Sequence, residues 1–287
     1  MEAPTAWADR EKRRMKELDS ATAAATTHRS DARGSGIDLR QGPYRVREAV
    51  SESDRLAAFR LRFSVFNLEL REGLETAYAS GVDCDEFDPL CDLIIVEHCG
   101  KRQVVGTYRL QTGVMAAANL GYYSEREFHF EPYEPLRGSL VELGRACIHR
   151  EHRSTDVLYL LWRGIAEYAT RHGGRYLVGC SSLTSQDAAH GLAVYESLAA
   201  CLVSSELRTA PRNGFALPDA SSQGSSNDVG ASVNVHVPKL LRTYLVVGAK
   251  ICGPPALDRD FKTIDFLTLL DLEKLHPRVR ARFFPKV

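Results

Sequence analysis

Four carboxylates lie at short spacing in the segment VDCDEFDPLCD, directly before an apolar run. They are Asp83, Asp85, Glu86 and Asp88. Carboxylates so placed can exchange protons with a substrate or hold a cation. A calcium loop is disfavoured, because the segment lacks the central glycine and the terminal glutamate of the EF-hand pattern. Two interpretations remain open here, a solvated turn and a functional acidic cluster.

Charged residues also interrupt two apolar, strand-like runs. Glu142 and Arg145 lie three positions apart in VELGRACI, so they face opposite sides of a strand unless the chain is kinked, and Gly144 is where a bulge could form. Arg109 interrupts VVGTYRLQ in the same way. A charged side chain in such a run needs an oppositely charged partner or a cleft that admits water. We therefore expect either a salt bridge, such as Arg109 with the acidic cluster, or a functional site.

Two further combinations suggest chemistry less strongly. The spacing of Cys84, Cys91, His98 and Cys99 does not match the short hooks of zinc sites, so no metal is expected. Ser182, Asp187 and His190 suggest a hydrolase. However, GCSSL is not the G-x-S-x-G elbow, and a hydrogen bond on the helix surface is the more common outcome.

The turn before the longest helical pattern offers a place for a phosphate. It reads Arg153, Ser154, Thr155, Asp156, with no glycine-rich loop. Free backbone N–H groups at a helix start attract anions, and Arg153 would add its charge. Most helix starts bind only water, so this signal needs support from other features.

The elements that would position these residues follow from apolar periodicity and from glycine stop signals. Helices are predicted over 51–71, 156–172 and 185–200, and strands over 93–97, 104–110, 139–148, 176–180, 242–249 and 263–271. This order predicts an α/β (α+β) fold, with a mixed central sheet and helices on both faces.

The chain divides into one domain and two polar segments. Residues 1–43 carry few large apolar side chains and are predicted to form a mobile arm, and residues 44–287 are predicted to form one catalytic domain. Within that domain, residues 219–232 are rich in Ser, Gly and Asn, which predicts a flexible loop or a substrate lid.

Composition excludes several classes of protein. The 287 residues have a formal net charge of zero, so nucleic-acid binding is not expected. The seven scattered cysteines are typical of reduced thiols in a cytoplasmic protein. No apolar run is long enough to span a bilayer. The C-terminal run LHPRVRARFF could touch a membrane face or pack on the core, and both interpretations stay open.

Read in order, several motifs resemble a known family, the ornithine N-acyltransferases that begin ornithine lipid synthesis, often labelled hemolysin-like. The resemblance runs from about Tyr44 to the C-terminus, and the motifs are LRFSVF, DCDEFDPLCDLIIVE, VVGTYRLQ, GYYSEREF, ELGRACIHREHRS, LLWRGIAEY, GCSSL and CGPPALDRDFKTIDFLTLLDL. That family is similar in turn to acyl-homoserine lactone synthases, which share the GNAT fold.

The resemblance implies a set of site residues. Arg62, Phe66, Asp85, Asp88, Arg109, Glu142 and Arg145 fall on matching motif positions. Glu142 is our first choice for the catalytic base, with Asp85 and Asp88 as further catalytic candidates. The candidate substrate-binding residues are Arg62, Phe66, Arg109, Arg145, Arg153 and Ser182.

The resemblance also implies the substrates. An ornithine N-acyltransferase would move a 3-hydroxy fatty acyl group from acyl carrier protein to the α-amine of L-ornithine, forming lyso-ornithine lipid. The pyrophosphate loop R-x-x-G-x-G/A of acetyl-CoA enzymes reads Arg153-Ser-Thr-Asp-Val-Leu here. Losing both glycines favours the 4'-phosphopantetheine arm of a carrier protein over CoA, and no tightly bound cofactor is expected.

Three alternatives remain. An N-acyl amino acid or homoserine lactone synthase belongs to the same class, whereas a hydrolase or a non-catalytic hemolysin-like membrane protein does not. A lytic protein should carry an amphipathic or apolar insertion segment, and none of adequate length is present. We expect a cytoplasmic enzyme, whose partners are acyl carrier protein, an amino acid and, at most peripherally, the inner membrane.

Overall fold

The computed structural model describes residues 36–218 and 236–284. Within these residues, nine strands form one mixed sheet in the order β1-β2-β3-β4-β5-β6-β9-β7, and β8 also pairs with β9. The strands are β1 (Asp38–Gln41), β2 (Tyr44–Glu48), β3 (Asp92–His98), β4 (Gln103–Thr112), β5 (Leu140–Ile148), β6 (Tyr176–Leu183), β7 (Lys250–Ile251), β8 (Ala256–Asp258) and β9 (Thr263–Asp271).

Helices connect these strands, and the predicted α/β class with a mixed sheet is confirmed. The α-helices are α1 (Glu52–Arg62), α2 (Ala77–Ser80), α3 (Gly113–Ala118), α4 (Ser124–Glu127), α5 (Thr155–Arg171), α6 (Ala188–Ser197), α7 (Lys239–Val247) and α8 (Pro277–Phe283). A π-helical stretch, Phe63–Leu70, continues α1.

The centre of the sheet explains why a continuous apolar run becomes a strand. In β3 the run from Leu93 to Val96 is at most 1% exposed, so both faces of the sheet are covered there. Full burial of each such side chain stabilises the fold by roughly 1.5–3 kcal/mol. The core therefore lies on both sides of β3 and β4.

Helix α5 forms the crossover between β5 and β6, the one parallel pair among the nine described strands. Ser154 begins it by accepting a hydrogen bond from the backbone N–H of Val157. Val157, Leu161 and Ile165 are completely buried against the sheet. Gly173, with a φ of 64°, follows its end, as the glycine stop signal predicts. The helix start beside Arg153 is thereby fixed next to the end of β5.

The predicted strand over residues 242–249 is wrong, because residues 242–247 belong to α7 and Gly248 ends that helix. The run TYLVV has the β-branched and aromatic composition of a strand. Packing overrides this propensity, since Leu241 and Tyr244 bury one face of a helix. Gly248, with a φ of 117°, ends the helix.

The boundary of the predicted arm also needs correction. Residues 38–41, assigned to the arm, form β1, and Gly42 at φ 55° allows the turn that pairs β1 with β2. The rest of the arm up to residue 35, and the predicted loop 219–232, lie outside the described residues.

The C-terminal helix α8 packs on the core. Leu275 is buried in the main core, and Val279, Phe283 and Phe284 pack against it. Phe283 contacts Trp162 with ring centroids 5.7 Å apart. These side chains therefore pack in the protein interior and are not available for insertion into a membrane. In the described parts of the chain, no helix combines the length and apolarity needed to cross a bilayer.

Candidate active site

Strands β5 and β6 separate partway along their length. They pair at Leu140↔Tyr176, Val141↔Leu177 and Glu142↔Val178, after which β5 continues beside β4 and β6 beside β9. Among the described strands, none pairs with the β6-facing edge of β5 beyond Gly144. A cavity of about 680 Å³ lies at this separation, and residues 142–148 and 177–182 line it.

Gly179 lies where the two strands begin to diverge. A Cβ atom built there would lie 2.2 Å from the carbonyl oxygen of Leu143. Alanine cannot fit unless the backbone moves, so we expect Gly179→Ala to lower the free energy of unfolding by roughly 1–3 kcal/mol and to reduce turnover. Urea denaturation measures the first effect.

Gly138→Ala is the matched control, because a Cβ there meets nothing within 4 Å. Equal stability of the two alanine variants would show that the strands do not need this close approach.

A bulge in β5 aims Arg145 at the cavity. Thr107 pairs with Cys147 and Arg109 with Gly144, so two residues of β5 lie opposite Tyr108 alone. Arg145 takes the positive φ of 50°. The kink predicted near Gly144 is confirmed, and it lets Glu142 and Arg145 line the same cavity despite their odd spacing.

Glu142 is buried at the inner wall of this cavity. Its Oε1 accepts hydrogen bonds from the backbone N–H of Ser124 at 2.8 Å and the hydroxyl of Ser124 at 2.6 Å. Its Oε2 accepts from the backbone N–H of Tyr123 at 2.9 Å. Burial raises the pKa of Glu142, and these hydrogen bonds and the charge of Arg109 oppose the rise. The result is an oriented carboxylate with increased basicity.

Asp85 and Asp88, the other catalytic candidates, do not line the cavity. Asp88 receives two hydrogen bonds from Arg62, at 2.6 and 2.8 Å, and neither side chain is exposed. Burial alone would raise the pKa of Asp88, but the charges of Arg62 and Arg109 outweigh it and hold that pKa below its ordinary value. Asp88 therefore stays ionised as a structural partner.

The expected salt bridge between Arg109 and the acidic cluster is also present. Arg109 Nη1 contacts the two carboxylate oxygens of Asp85 at 2.5 and 2.7 Å. Arg109 lines the cavity, whereas Arg62 lies behind its wall. Arg62, Asp85 and Asp88 thus support the site without facing the space where a substrate would lie.

Arg145 lies between two aromatic rings on the cavity wall. Its guanidinium carbon is 4.6 Å from the ring centroid of Phe66 and 4.2 Å from that of Phe261. It also bonds to Asp83. Within the described residues its buried Nε has no hydrogen-bond partner. Phe66 and Arg145, both predicted, meet here, while Phe261 was not predicted.

Arg153 and Ser182 also line the cavity. Arg153 forms two hydrogen bonds with Glu69, at 2.6 and 2.8 Å, beside the start of α5. The hydrolase arrangement is not formed, because the carboxylate of Asp187 accepts from the backbone N–H of Ala189 at the start of α6. In the described chain, Asp187 forms no hydrogen bond with His190.

The cavity has an apolar arm on the α5 side of the sheet. The side chains that line it also belong to the main core, and they include Tyr108, Leu143, Leu158, Leu161, Trp162, Leu177, Tyr244 and Leu270. The hydroxyl groups of Tyr108 and Tyr244 are hydrogen-bonded to each other. Among described residues, the buried Nε1 of Trp162 has no partner.

A second polar group lies on the opposite side of the sheet. One ligand-type atom from each of Glu127, Cys180 and Asp265 lies within 4.8 Å of the other two. Burial and the charge of Asp258 raise the pKa of Asp265 to about 7. Burial and the charges of Asp265 and Asp258 raise the pKa of Glu127 well above its ordinary value.

Sequence reasoning missed Tyr123, Ser124, Glu127 and Asp265. Three of them lie in the motif GYYSEREF, and Asp265 lies in the motif that begins CGPPALD. Both motifs contributed to the family resemblance, but neither has a spacing that singles out these residues.

Comparisons with known proteins find acyltransferases among the chains similar to this one. The model of the acetyltransferase (GNAT) domain matches residues 61–163. The chain is 33% identical over 253 residues to the L-ornithine N(alpha)-acyltransferase of Brucella abortus (strain 2308), covering 83% of this chain and 88% of that protein. It is 31% identical over 257 residues to the enzyme of the same name from Agrobacterium fabrum (strain C58), covering 85% and 86%.

Among solved structures, the chain is similar to the AHL synthase LasI. Sequence identity is 12%, the TM-score is 0.47, and the alignment covers 88% of this chain and 98% of that chain.

Proposed function

The chain belongs to the L-ornithine N(alpha)-acyltransferase family, and we propose that it transfers a 3-hydroxy fatty acyl group from acyl carrier protein to the α-amine of L-ornithine, forming lyso-ornithine lipid. One observation carries the proposal. The cavity at the separation of β5 and β6 joins an apolar arm to a polar wall, and the buried carboxylate of Glu142 lies on that wall.

The chemistry starts from an amine that is mostly protonated near pH 7. Glu142 takes a proton from it, directly or through water, and the free amine attacks the thioester carbon. The carbonyl becomes an oxyanion, and backbone N–H groups of β5 beyond Gly144, past the last residue that pairs with β6 among the described strands, stabilise it. The C–N bond forms, the C–S bond breaks, and the leaving pantetheine sulfur takes up the proton that Glu142 accepted, which restores the carboxylate. The second amine proton goes to solvent. Because the amine attacks the thioester directly, no acyl-enzyme is needed.

Arg145 suits the α-carboxylate of the acceptor. Its guanidinium lies between the rings of Phe66 and Phe261. A planar guanidinium with fixed donors binds carboxylates well. Arg109 and Arg145 each pair with an aspartate of the acidic cluster, and Arg145 is preferred because its Nε donor remains unused within the described chain.

The apolar arm suits a 3-hydroxyacyl chain. Its core side chains can enclose the alkyl part, and the hydroxyls of Tyr108 and Tyr244 and the Nε1 of Trp162 are polar groups within it. A buried donor without a partner is costly, so a ligand hydroxyl that accepts its hydrogen bond would be bound preferentially.

The donor is expected to be acyl carrier protein rather than acyl-CoA. Acyl carrier proteins are acidic, and exposed Lys239 and Arg153 line the cavity, with Arg150 nearby in sequence and Arg163 on α5. We therefore expect turnover with acyl carrier protein to exceed turnover with the matching acyl-CoA and to weaken as salt screens these charges. The assay follows release of the pantetheine thiol with ornithine present.

Lys239→Glu tests the docking face, with Lys250→Glu as the matched charge reversal at an exposed residue outside the cavity. The first variant should raise the KM for the acylated carrier protein by roughly tenfold, and the second should not. Equal, salt-insensitive turnover with acyl-CoA would contradict this part of the proposal.

An N-acyl amino acid or homoserine lactone synthase would use the same geometry, and the names of the relatives favour ornithine. A product with a long acyl chain must pass to a bilayer, so we also place the reaction at the cytoplasmic face of the inner membrane. Since α8 packs on the core, exposed Leu68 and Leu240 are better candidates for that contact than the C-terminal run.

A further inference from the structure

Three buried carboxylates lie together without a cationic partner. Glu127, Asp258 and Asp265 are 1%, 2% and 4% exposed, and they come from α4, β8 and β9. In the part of the chain that the structure describes, none of them forms an ion pair with arginine or lysine, whereas Asp83, Asp85 and Asp88 each pair with an arginine. Buried carboxylates normally need such a partner.

The lack of hydrogen-bond partners is greatest at Glu127, because Asp258 and Asp265 both accept hydrogen bonds. Asp265 Oδ1 accepts from the hydroxyl of Thr263 at 3.0 Å. Asp258 accepts from the hydroxyl of Tyr123 at 2.9 Å and from the backbone N–H groups of Asp260 and Phe261 at 2.8 and 3.0 Å. Glu127 Oε2 accepts a weak bond from Cys180 Sγ at 3.6 Å, and Tyr123 also hydrogen-bonds to the Glu127 carboxylate, but its buried Oε1 has no partner among the described residues. A carboxylate oxygen of Glu127 lies within 4.8 Å of one of Asp265, and Asp265 lines the cavity while Glu127 lies behind it.

A row of contacts links this group to Glu142. The thiol of Cys180 is 3.5 Å from the hydroxyl of Ser124, which in turn lies 2.6 Å from Glu142. Cys180, Asp265 and Glu142 all line the cavity. In extended ornithine the two nitrogens are about 6 Å apart, given bond lengths near 1.5 Å. Because Glu142 and Asp265 line the same cavity, one acceptor molecule can present both of its nitrogens to this wall.

We propose that Glu127 and Asp265 form a subsite that binds the side-chain ammonium of the amino acid acceptor and thereby selects a diamino acid. This inference rests on the proposed function. An ammonium group supplies three donors and a positive charge, which meet the unpartnered Glu127 oxygen and the Asp265 carboxylate together.

A metal ion is the competing occupant, and the thiol argues against it. A cysteine binds metal as the thiolate. Burial and the charges of Glu127 and Asp265 raise the pKa of Cys180 well above its ordinary value, which makes the thiolate that a metal would need costly at this position. A neutral thiol beside two carboxylates suits an organic cation better than zinc.

The test compares ornithine with 2-aminopentanoate, which has the same carbon chain without the terminal amine. With acylated carrier protein as donor, kcat/KM for ornithine should exceed that for 2-aminopentanoate by roughly 30- to 1,000-fold. Asp265→Asn and Glu127→Gln should remove most of this ratio by lowering kcat/KM for ornithine alone. Asp260→Asn, the same change at an exposed carboxylate two residues from Asp258, should keep the full ratio.

The outcomes separate the two proposals. If the wild-type protein forms an amide with neither amino acid, the proposed function fails and the subsite falls with it. If it acylates both equally well, the subsite alone is overturned, and this comparison needs no variant. Equal loss with both substrates in folded Asp265→Asn would make the residue structural. Stoichiometric bound metal, with activity lost to a chelator and restored by zinc, would replace the ammonium by a metal.

Discussion

Replacing Glu142 by glutamine is expected to slow acyl transfer by roughly 10²- to 10⁴-fold, the usual contribution of a general base. The amide keeps the shape of the side chain and cannot accept the amine proton. In the wild-type protein the backbone N–H groups of Tyr123 and Ser124 donate hydrogen bonds to the carboxylate of Glu142. The NH₂ group of glutamine would face one of these donors and leave it without an acceptor. A loss of about 1–3 kcal/mol in the free energy of unfolding should accompany the change.

Glu142→Asp separates the two effects. It keeps a carboxylate but withdraws it by one methylene group, so its turnover should lie between those of wild type and the glutamine variant. Steady-state turnover, measured where both variants are folded by circular dichroism, gives this order. Near-normal turnover of Glu142→Gln would make the residue structural and move the base to Asp265 or Glu72, the other carboxylates on the cavity wall.

Replacing Arg62 by methionine is expected to cost about 3–5 kcal/mol of stability, because it leaves buried charges without their partner. Arg62 is fully buried and bridges Asp83 at 2.8 Å and Asp88 at 2.6 Å. The pKa of Asp88 is lowered in the wild-type fold, so its ionised form stabilises that fold above the ordinary value of 3.8. Without Arg62 that pKa should rise, and the difference in stability should shrink as the pH falls below 3.8.

Arg45→Met is the matched control. Arg45 pairs with Asp38 at 2.7 Å, but the two side chains are 31% and 48% exposed. Removing an exposed pair of this kind costs about 0–1 kcal/mol. Urea unfolding measures the loss in the free energy of unfolding for both variants. Equal losses would show that burial of the Arg62 ion pairs does not increase their contribution to stability.

The central strands could be predicted because their signal is local. Two apolar runs are bounded by glycine or polar turns and are apolar on both faces of the sheet. They are Leu93 to Val96 in β3 and the run that starts at Leu177 in β6. Local signals failed at α7, where TYLVV has strand composition, and at β1, whose short polar sequence DLRQ pairs only because β2 lies beside it. Both errors arise where tertiary contacts decide the structure.

The residues of the candidate site also fall into two groups, those whose role the sequence could reveal and those whose role depends on tertiary contacts. Glu142 and Arg145 stood out because charges interrupt an apolar strand, and the bulge that unites them was predicted at Gly144. Asp85 and Asp88 carry the same kind of signal, yet they pair with arginines behind the cavity. Burial and ion pairing, which spacing does not reveal, distinguish these two cases.

The acidic group could not be predicted at all. Glu127 and Asp265 are separated by more than a hundred residues, and only the pairing of β6 with β9 brings Asp265 beside Cys180 and the short helix that carries Glu127. Neither segment shows a ligand-like spacing of its own.

The most direct test of the proposed reaction is mass spectrometry of the product made by purified protein from 3-hydroxyacyl carrier protein and L-ornithine labelled with ¹⁵N at the α-amine. The proposed function predicts a single amide whose fragment ions carry the acyl group on the labelled nitrogen, with a free terminal amine, and this product should disappear with Glu142→Gln. Free 3-hydroxy fatty acid without amide, or an acyl group on the terminal nitrogen, would contradict it.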